Sequence, residues 1–290
     1  MTRFFKKDSI DFVSKFTIAN YASLVFIVLG LLLLLFNGAQ LGIDFKGGTE
    51  LIIQLDDKYN DKNKVVDYLD TNNIKYSSIK SYGSDKVRIL FESESNQKFM
   101  NDNFKIISYN KIGSTISNDL KYDAMQALSI AILLIGLYII IRFDWYSAIG
   151  SVVALIHDIL IVVSMLVFFL YEFNTNIIAA FLIIIGYSLN DTIVIFDRMR
   201  ENINEYSNMR LDEIINLSLN ETFNRTIITS LTTLFVVISL FIFGGGSLRG
   251  LSFALIIGIL SGTYSSIFVA TPVMMFLRNK YYEEENEGDL

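Results

Sequence analysis

An aspartate interrupts a long apolar stretch in the string GYSLNDTIVIFDRMREN, which runs from Gly186 to Asn202. An aspartate in the middle of a membrane helix costs on the order of 2.5–3.5 kcal/mol on insertion scales. Such groups usually face the bundle interior and mark ion or proton pathways. Helical spacing puts Tyr187, Asp191 and Arg198 on one face. The simpler alternatives are that Asp191 pairs locally with Arg198 or extends toward the cytoplasmic interface, for which its side chain is short. We favour Asp191 as a titratable group.

A histidine and a second aspartate, His157 and Asp158, lie near the middle of another apolar stretch. Gly150, Ala154 and Asp158 are spaced by four, so Asp158 shares a helix face with small residues that permit close packing. A lone buried histidine is more often a packing residue than a ligand. Asp158 is therefore the stronger functional candidate of the two.

A polar stripe opens the next apolar stretch, in the string LNETFNRTIITSLTTL. Threonine hydroxyls in membrane helices often bond the backbone one turn back, which accounts for the threonines. Arg225 has two interpretations, a cytoplasmic anchor or a counter-charge to Asp191 that tunes its proton release. The stripe consists of Thr222, Arg225, Thr229 and Thr232 or Thr233.

Glycines form two further patterns. In LGIDFKGGTEL, here called the glycine segment (Leu41–Leu51), the glycines permit tight turns and Asp44 can cap one. The spacing of Gly42, Gly47 and Gly48 matches no phosphate-binding fingerprint. Near the C-terminus, small residues recur every four positions and predict a face for close helix packing, within the bundle in preference to a partner interface. This small-residue stripe comprises Gly250, Ala254, Gly258, Gly262, Ser266 and Ala270.

Six apolar runs are long enough to cross a hydrocarbon core of ~30 Å. The first is preceded by lysines and resembles a signal peptide, but its length favours an uncleaved anchor. We place the spans at Thr17–Phe36, Met125–Ile141, Tyr146–Leu170, Ile177–Phe196, Thr226–Phe243 and Leu251–Leu277.

Arginines and lysines in the short connections indicate that both termini face the cytoplasm. They lie in the N-terminus and at Arg142, Arg198, Arg200, Arg210, Arg278 and Lys280. The resulting division is a cytoplasmic N-terminus (1–16), a first membrane helix (17–37), an extracytoplasmic domain (38–122), a five-helix membrane region (123–277) and an acidic cytoplasmic tail (278–290).

The extracytoplasmic segment alternates between strand and helix patterns. A β-α-β-β-α-β order predicts a ferredoxin-like α+β fold. The predicted strands are Glu50–Leu55, Tyr76–Tyr82, Lys86–Phe91 and Ile106–Ile116, and the predicted helices are Lys62–Leu69 and Ser95–Phe104.

The composition excludes several classes of function. The chain is 52% hydrophobic with a mean hydropathy of +0.44, too apolar for an ordinary soluble domain. It has no cysteine and one histidine, which rules out disulfides and metal sites built on several cysteines or histidines. It has no basic patch for nucleic acid, and its net charge of -6 reflects the acidic tail.

Together these strings resemble the SecF family, subunits of the bacterial protein-export machinery. The resemblance is carried by LGIDFKGGTE after the first span, IHD in the third, GYSLNDTIVIFDRMREN in the fourth and NRTIITSLTTL in the fifth. It covers about the whole chain, with six spans and one ferredoxin-like domain in the family's order.

The resemblance implies a non-enzymatic subunit in the bacterial inner membrane, related to the resistance-nodulation-division transporters. It would act with SecD, use the proton-motive force instead of a cofactor, and assist the SecYEG channel after SecA has inserted a preprotein. YajC and YidC are further expected partners. Asp191, Arg225 and Asp158 would form the proton relay, and SecD would supply a further acidic group. The supporting polar residues are His157, Asn190, Thr192, Tyr187, Arg198 and Thr229.

Three alternatives remain at this point. One is an exporter of small molecules or lipids from the same superfamily, although such exporters carry larger external domains. Another is an intramembrane aspartyl protease with Asp158 and Asp191 as the catalytic pair, but its YD and GxGD motifs are absent. The last is a purely structural scaffold.

Overall fold

A computed structural model describes residues 9–55, 61–82, 85–91, 105–206 and 208–288 of the 290-residue chain. Within them, six helical stretches are long and apolar enough to cross a membrane, which confirms the predicted number of spans. The stretches are Val13–Asn37, Ser114–Arg142, Trp145–Phe168, Thr175–Glu205, Leu211–Phe243 and Leu248–Lys280.

Most of the membrane helices are longer than the apolar runs that predicted them, whereas the third ends at Phe168, two residues before the predicted end of its run. Helix α4 starts at Ser114, inside the segment assigned to the external domain, and α7 starts well before Thr226, because both continue as polar helix beyond the apolar run. The helices are α1 (Phe16–Asn37), α4 (Ser114–Arg142), α5 (Trp145–Phe168), α6 (Thr175–Glu205), α7 (Leu211–Phe243), α8 (Gly245–Ser265) and α9 (Thr271–Gly288), with a π-helical turn at Ser266–Ala270 between the last two.

The segment between α1 and α4 forms a four-stranded antiparallel sheet in the order β2-β3-β1-β4. This is the strand order of the predicted ferredoxin-like fold, and the predicted helix Ser95–Phe104 lies outside the described residues. The elements are α2 (Ile43–Lys46), β1 (Gly48–Gln54), α3 (Lys62–Thr71), β2 (Ser78–Ser81), β3 (Lys86–Phe91) and β4 (Lys105–Ile112).

Alternation along β3 gives this sheet two different faces. Val87 and Ile89 point toward α3, where Val65 and Leu69, four residues apart, complete an apolar core. Arg88 lies between them in sequence and so belongs to the opposite face, which carries charged side chains toward the membrane helices.

Helices α5, α6 and α8 form the interior of the bundle, whereas α1 and α4 expose most of their side chains. The small-residue stripe of α8 lies against α6. A Cβ atom at Gly258 would come within 2.3 Å of Ile184, and one at Gly262 within 2.9 Å of Ser188. Glycine at these positions therefore allows α8 to approach α6 closely.

Candidate functional site in the membrane bundle

The carboxylate of Asp158 is fully buried and joins three helices. Oδ2 accepts hydrogen bonds from Ser188 of α6 at 2.7 Å and from Ser265 of α8 at 2.8 Å. Oδ1 accepts one from Ser261 of α8 at 2.6 Å. Hydrogen bonds to a charged group are worth about 1.5–3 kcal/mol each, so these hydroxyls replace much of the hydration that burial removes.

His157 lies beside this carboxylate. Its Nδ1 is 3.2 Å from Oδ1 of Asp158, and its ring stacks on Tyr264 with centroids 5.9 Å apart. The other ring nitrogen, Nε2, is buried and has no hydrogen-bond partner among the residues that the structure describes. His157 therefore contacts Asp158 through Nδ1, and its Nε2 could still donate or accept a hydrogen bond.

The π-helical turn after α8 directs a second set of hydroxyls into the bundle. Thr192 and Ser266 share a hydrogen bond of 2.8 Å between their hydroxyls. Ser266 also donates to the carbonyl of Gly262 at 2.8 Å, and its own carbonyl accepts from Thr271, five residues on, at 2.8 Å. Such wide turns occur mostly as single turns and often at functional sites.

Asp191, also on α6, has a different environment. Its side chain is buried, and Oδ2 has no hydrogen-bond partner within the described part of the chain. The Ser230 hydroxyl of α7 and the amide of Asn190 lie close enough to interact electrostatically with the carboxylate, and so does the charge of Arg225. Asp191 thus lies at the α6–α7 contact, apart from the three serines that bind Asp158.

Two residues near Asp191 reach the outside of the bundle. Arg225 and Asn190 are exposed, although each lies within a membrane-spanning helix. Tyr187 is half-buried one turn before Asp191, and its hydroxyl lies 3.5 Å from that of Ser230. The polar group around Asp191 therefore extends from the interior to the bundle surface.

Arg198 does not pair with Asp191 in this structure. Its guanidinium donates to Glu221 of α7 and to Glu201, each at 2.7 Å. Asn202, one turn further along α6, also donates to Glu221 at 2.9 Å. Local pairing with Arg198 is therefore not what accommodates Asp191 within the membrane.

The threonines of the stripe on α7 bond the backbone of their own helix. Thr229 donates to the carbonyl of Arg225 at 3.0 Å, and Thr222 donates to that of Ser218 at 2.9 Å. Thr232 and Thr233 do the same one turn later. Backbone bonding of this kind accounts for these hydroxyls without a proton pathway.

The glycine segment binds the start of α6. Oδ2 of Asp44 accepts from the backbone N–H and the hydroxyl of Thr175, both at 2.8 Å. Gly47 and Gly48 have positive φ angles of 73° and 124°, which only glycine adopts at little cost. The two glycines lie where the chain turns from α2 into β1.

Several residues at these sites were not identified from sequence. The serines that bind Asp158 and Ser230 beside Asp191 are common residues in membrane helices and carry no signal alone. Their spacing held a clue, since Ser261 and Ser265 are four apart and lie one position before Gly262 and Ser266 of the stripe. Which face of α8 meets α5 cannot be read from that spacing.

Two family descriptions match the chain. "Protein export membrane protein SecD/SecF, C-terminal" matches residues 92–280, and "SecD/SecF GG Motif" matches residues 32–58. The protein translocase subunit SecF of Rhodothermus marinus is 42% identical over 298 aligned residues, covering 95% of this chain and 96% of the relative. That of Calditerrivibrio nitroreducens is 39% identical, covering 94% and 96%.

The crystal structure of SecDF from Thermus thermophilus, a translocon-associated membrane protein, has the same fold. It matches with a TM-score of 0.86 at 29% identity, over 94% of this chain and 39% of that chain. The present chain thus spans about two fifths of the SecDF chain.

Six membrane-spanning helices with a small antiparallel sheet between the first two define a multi-pass membrane protein of the SecDF fold. The chain belongs to the SecF family, subunits of the Sec protein translocase. The family consists of transport proteins and not of enzymes. The resemblance and the fold class inferred from sequence are confirmed.

Proposed function

We propose that this chain acts with SecD to use the proton-motive force in completing preprotein translocation through the SecYEG channel, after insertion driven by SecA. Asp191 carries the proton and Arg225 is its counter-charge. Membership of the SecF family and the fold shared with SecDF support the partner and the process.

The observation that carries this proposal is the environment of Asp191. It is a buried carboxylate with one oxygen that has no hydrogen-bond partner among the described residues, beside a hydroxyl and a cation of the neighbouring helix. An uncompensated charge in an apolar interior is costly, so ionised and neutral Asp191 favour different arrangements of α6 and α7. A proton can then bias a two-state movement, because the two forms prefer different states.

The energy available is adequate for such a bias. One elementary charge crossing the membrane releases about 2.3 kcal/mol per 100 mV. That free energy corresponds to roughly a 50-fold shift in a two-state equilibrium. The transfer of one proton across the membrane could therefore strongly favour one of the two arrangements of α6 and α7.

The exposed part of the polar group suggests where SecD binds. Arg225 has no carboxylate within ion-pair distance among the described residues, and it lies on a surface with exposed apolar side chains such as Ile228 and Phe235. A charged side chain facing lipid is costly. We place SecD over this face of α6 and α7, where one of its own acidic groups completes the relay.

Asp158 is the third proposed member of the relay. Its bond from Ser188 connects it to α6 at a position three residues before Asp191. A change of charge at either carboxylate would therefore act on the same helix. His157 and Thr192 support this arrangement through Asp158 and Ser266 respectively.

The proposed orientation puts both termini in the cytoplasm and the sheet outside. Arg142, Arg200 and Arg210 lie at the bundle end opposite the sheet, which agrees with the bias of membrane proteins toward cationic cytoplasmic loops. The domain between α1 and α4 would then meet preproteins as they leave the channel.

Export into inverted membrane vesicles tests the proposal. Vesicles with SecYEG, SecA and SecD are compared with and without this chain, each with and without an uncoupler. We expect this chain to raise export only while the proton gradient is intact. An equal increase in uncoupled vesicles would contradict the proposal and favour a scaffold.

A further inference from the structure

Residues 169–174, which connect α5 to α6, form a contact between the membrane bundle and the external sheet. The carboxylate of Glu172 accepts a hydrogen bond from Lys80 of β2 at 2.9 Å and forms an ion pair with Arg88 of β3. Arg88 also pairs with Glu50 of β1. One loop carboxylate is thus joined to the three strands β1, β2 and β3.

This ion-pair network is largely shielded from solvent. The side chains of Arg88, Glu50 and Glu172 are 17%, 12% and 10% exposed. Exposed ion pairs hold groups together weakly, whereas removing one member of a buried pair leaves a charge without compensation. The network therefore resists separation of the sheet from the loop.

The network stays charged near neutral pH. Burial alone would raise the pKa of Glu172, but Arg88 and Lys80 outweigh it and hold that pKa below its ordinary value. Burial alone would lower the pKa of Arg88, but Glu172 and Glu50 hold it above its ordinary value. The Glu172 contribution is present at neutral pH and lost only as the pH falls through the lowered pKa.

A second set of bonds joins the same loop to the glycine segment. The N–H of Gly42 donates to the carbonyl of Phe173 at 2.8 Å, and the N–H of Phe173 donates to the carbonyl of Gln40 at 2.7 Å. Asp44 holds the first residue of α6, Thr175, as described above. The sheet and the chain leading into it are thus both attached to the N-terminal end of α6.

Helix α6 runs without a break from this attachment to the proposed proton site. Asp191 lies 16 residues after Thr175, about 24 Å along the helix axis. Helix α6 is continuous from Thr175 to Glu205 and contains no proline, so it can carry a displacement at Asp191 to its N-terminal end.

We propose that Glu172 and Arg88 are positioning residues that couple movement of α6 to the external domain. The sheet then follows the N-terminal end of α6 when the charge on Asp191 changes. This inference rests on the proposed function of Asp191. The loop would transmit the movement of α6 to the sheet and would not itself bind or release protons.

Distance measurement between two spin labels tests the coupling directly. The chain has no cysteine, so Asp70→Cys in the external domain and Leu133→Cys in α4 give two unique attachment sites. The labelled chain is purified with a cysteine-free SecD. Asp191→Asn, which carries no charge, should change the mean distance between the labels.

The same change is then measured in the Glu172→Gln background. Coupling through Glu172 predicts that Asp191→Asn no longer alters the distance there. The matched control is Asp197→Asn, which breaks an exposed pair with Arg142 and should leave the change intact. An equal change with and without Glu172, or no change in either background, would overturn the proposal.

Export and proton flux distinguish this inference from the proposed function. Glu172→Gln should reduce gradient-dependent export to the uncoupled level while proton flux through the complex with SecD persists. Loss of both together would mean that Glu172 acts only in folding or in the relay, against the inference. If the unsubstituted chain shows no gradient-dependent export, the proposed function fails, and the label distances still decide the coupling.

Discussion

The hydroxyl of Ser188 donates to Oδ2 of Asp158 at 2.7 Å, and Ser188 precedes Asp191 on α6 by three residues. One helix therefore contacts both buried carboxylates, through a hydrogen bond at Asp158 and through its own side chain at Asp191. The first carboxylate has several hydroxyl donors, whereas the second has one oxygen without a hydrogen-bond partner in the part of the chain that the structure describes. This contrast favours Asp191 as the main group that takes up and releases the proton, whereas Asp158, the other carboxylate of the proposed relay, also holds α6 to α5 and α8.

The serines around Asp158 should contribute strongly to stability. Replacing Ser261 and Ser265 together with alanine removes two donors and leaves a buried carboxylate partly unpaired. Each bond to a charged group is worth about 1.5–3 kcal/mol, so we expect the double variant to lose several kcal/mol of unfolding free energy. Thermal unfolding in detergent measures the loss.

Ser239→Ala is the matched control for that measurement. Ser239 is exposed and donates to the carbonyl of Phe235, within its own helix. Its replacement should leave the midpoint of unfolding nearly unchanged. Equal midpoints for the control and the double variant would show that the Asp158 cluster is not an energetic centre of the bundle.

The contact between α6 and α8 depends on the absence of a side chain at Gly258. In Gly258→Ala, the new Cβ would lie 2.3 Å from two atoms of the Ile184 side chain, which is buried in the bundle. Overpacking of this kind costs about 1–3 kcal/mol. We expect a lower midpoint of thermal unfolding.

Gly136→Ala serves as the comparison, because a Cβ there would meet Val152 at an ordinary distance of 3.4 Å. Replacing a helical glycine by alanine without a clash is favourable by up to about 1 kcal/mol. If both substitutions raise the midpoint, α6 and α8 are not packed as described.

The sequence allowed the elements to be predicted better than their contacts. The length of the apolar runs predicts the six spans. The alternation of apolar and polar residues predicts the strands of the sheet, and β3 has the predicted bounds Lys86–Phe91. Charge and depth point to Asp158 and Asp191, because a carboxylate in an apolar run needs a reason to be there. These features are local and can be read from a single stretch of chain.

Contacts between distant residues could not be read in that way. Ser261 is 103 positions from Asp158, and Glu172 is 84 positions from Arg88. The first pairing depends on how α5 and α8 are rotated about their axes, and the second depends on where the sheet lies relative to the bundle. Residue spacing along one helix determines neither of these. Helix ends were also missed, since α4 and α7 extend past the apolar residues that the membrane requires.

The proposed orientation can be tested with single cysteines in this cysteine-free chain. Asp70 lies in the domain between α1 and α4, and Met209 lies in the connection between α6 and α7. A membrane-impermeant maleimide added to spheroplasts should label Asp70→Cys at once and Met209→Cys only after lysis. The reverse pattern would place both termini outside and contradict the arrangement proposed here.

Arg225 should contribute through its charge and its geometry. Arg225→Met removes the counter-charge and should abolish the gradient-dependent part of export. Arg225→Lys keeps the charge but loses the planar guanidinium, so we expect partial activity. Arg210→Gln, which breaks an exposed pair with Asp212, is the control and should behave like the unsubstituted chain. Full activity in Arg225→Met would exclude Arg225 from the relay.

The most direct test of the account is export by vesicles that carry Asp191→Asn together with SecD, measured with and without a proton gradient. Asparagine keeps the size of the side chain but cannot carry the proton. We expect the gradient-dependent part of export to disappear at normal protein levels, while Asp197→Asn, six residues along the same helix, retains it. Gradient-dependent export that persists in Asp191→Asn would contradict the account and leave Asp191 as a packing residue.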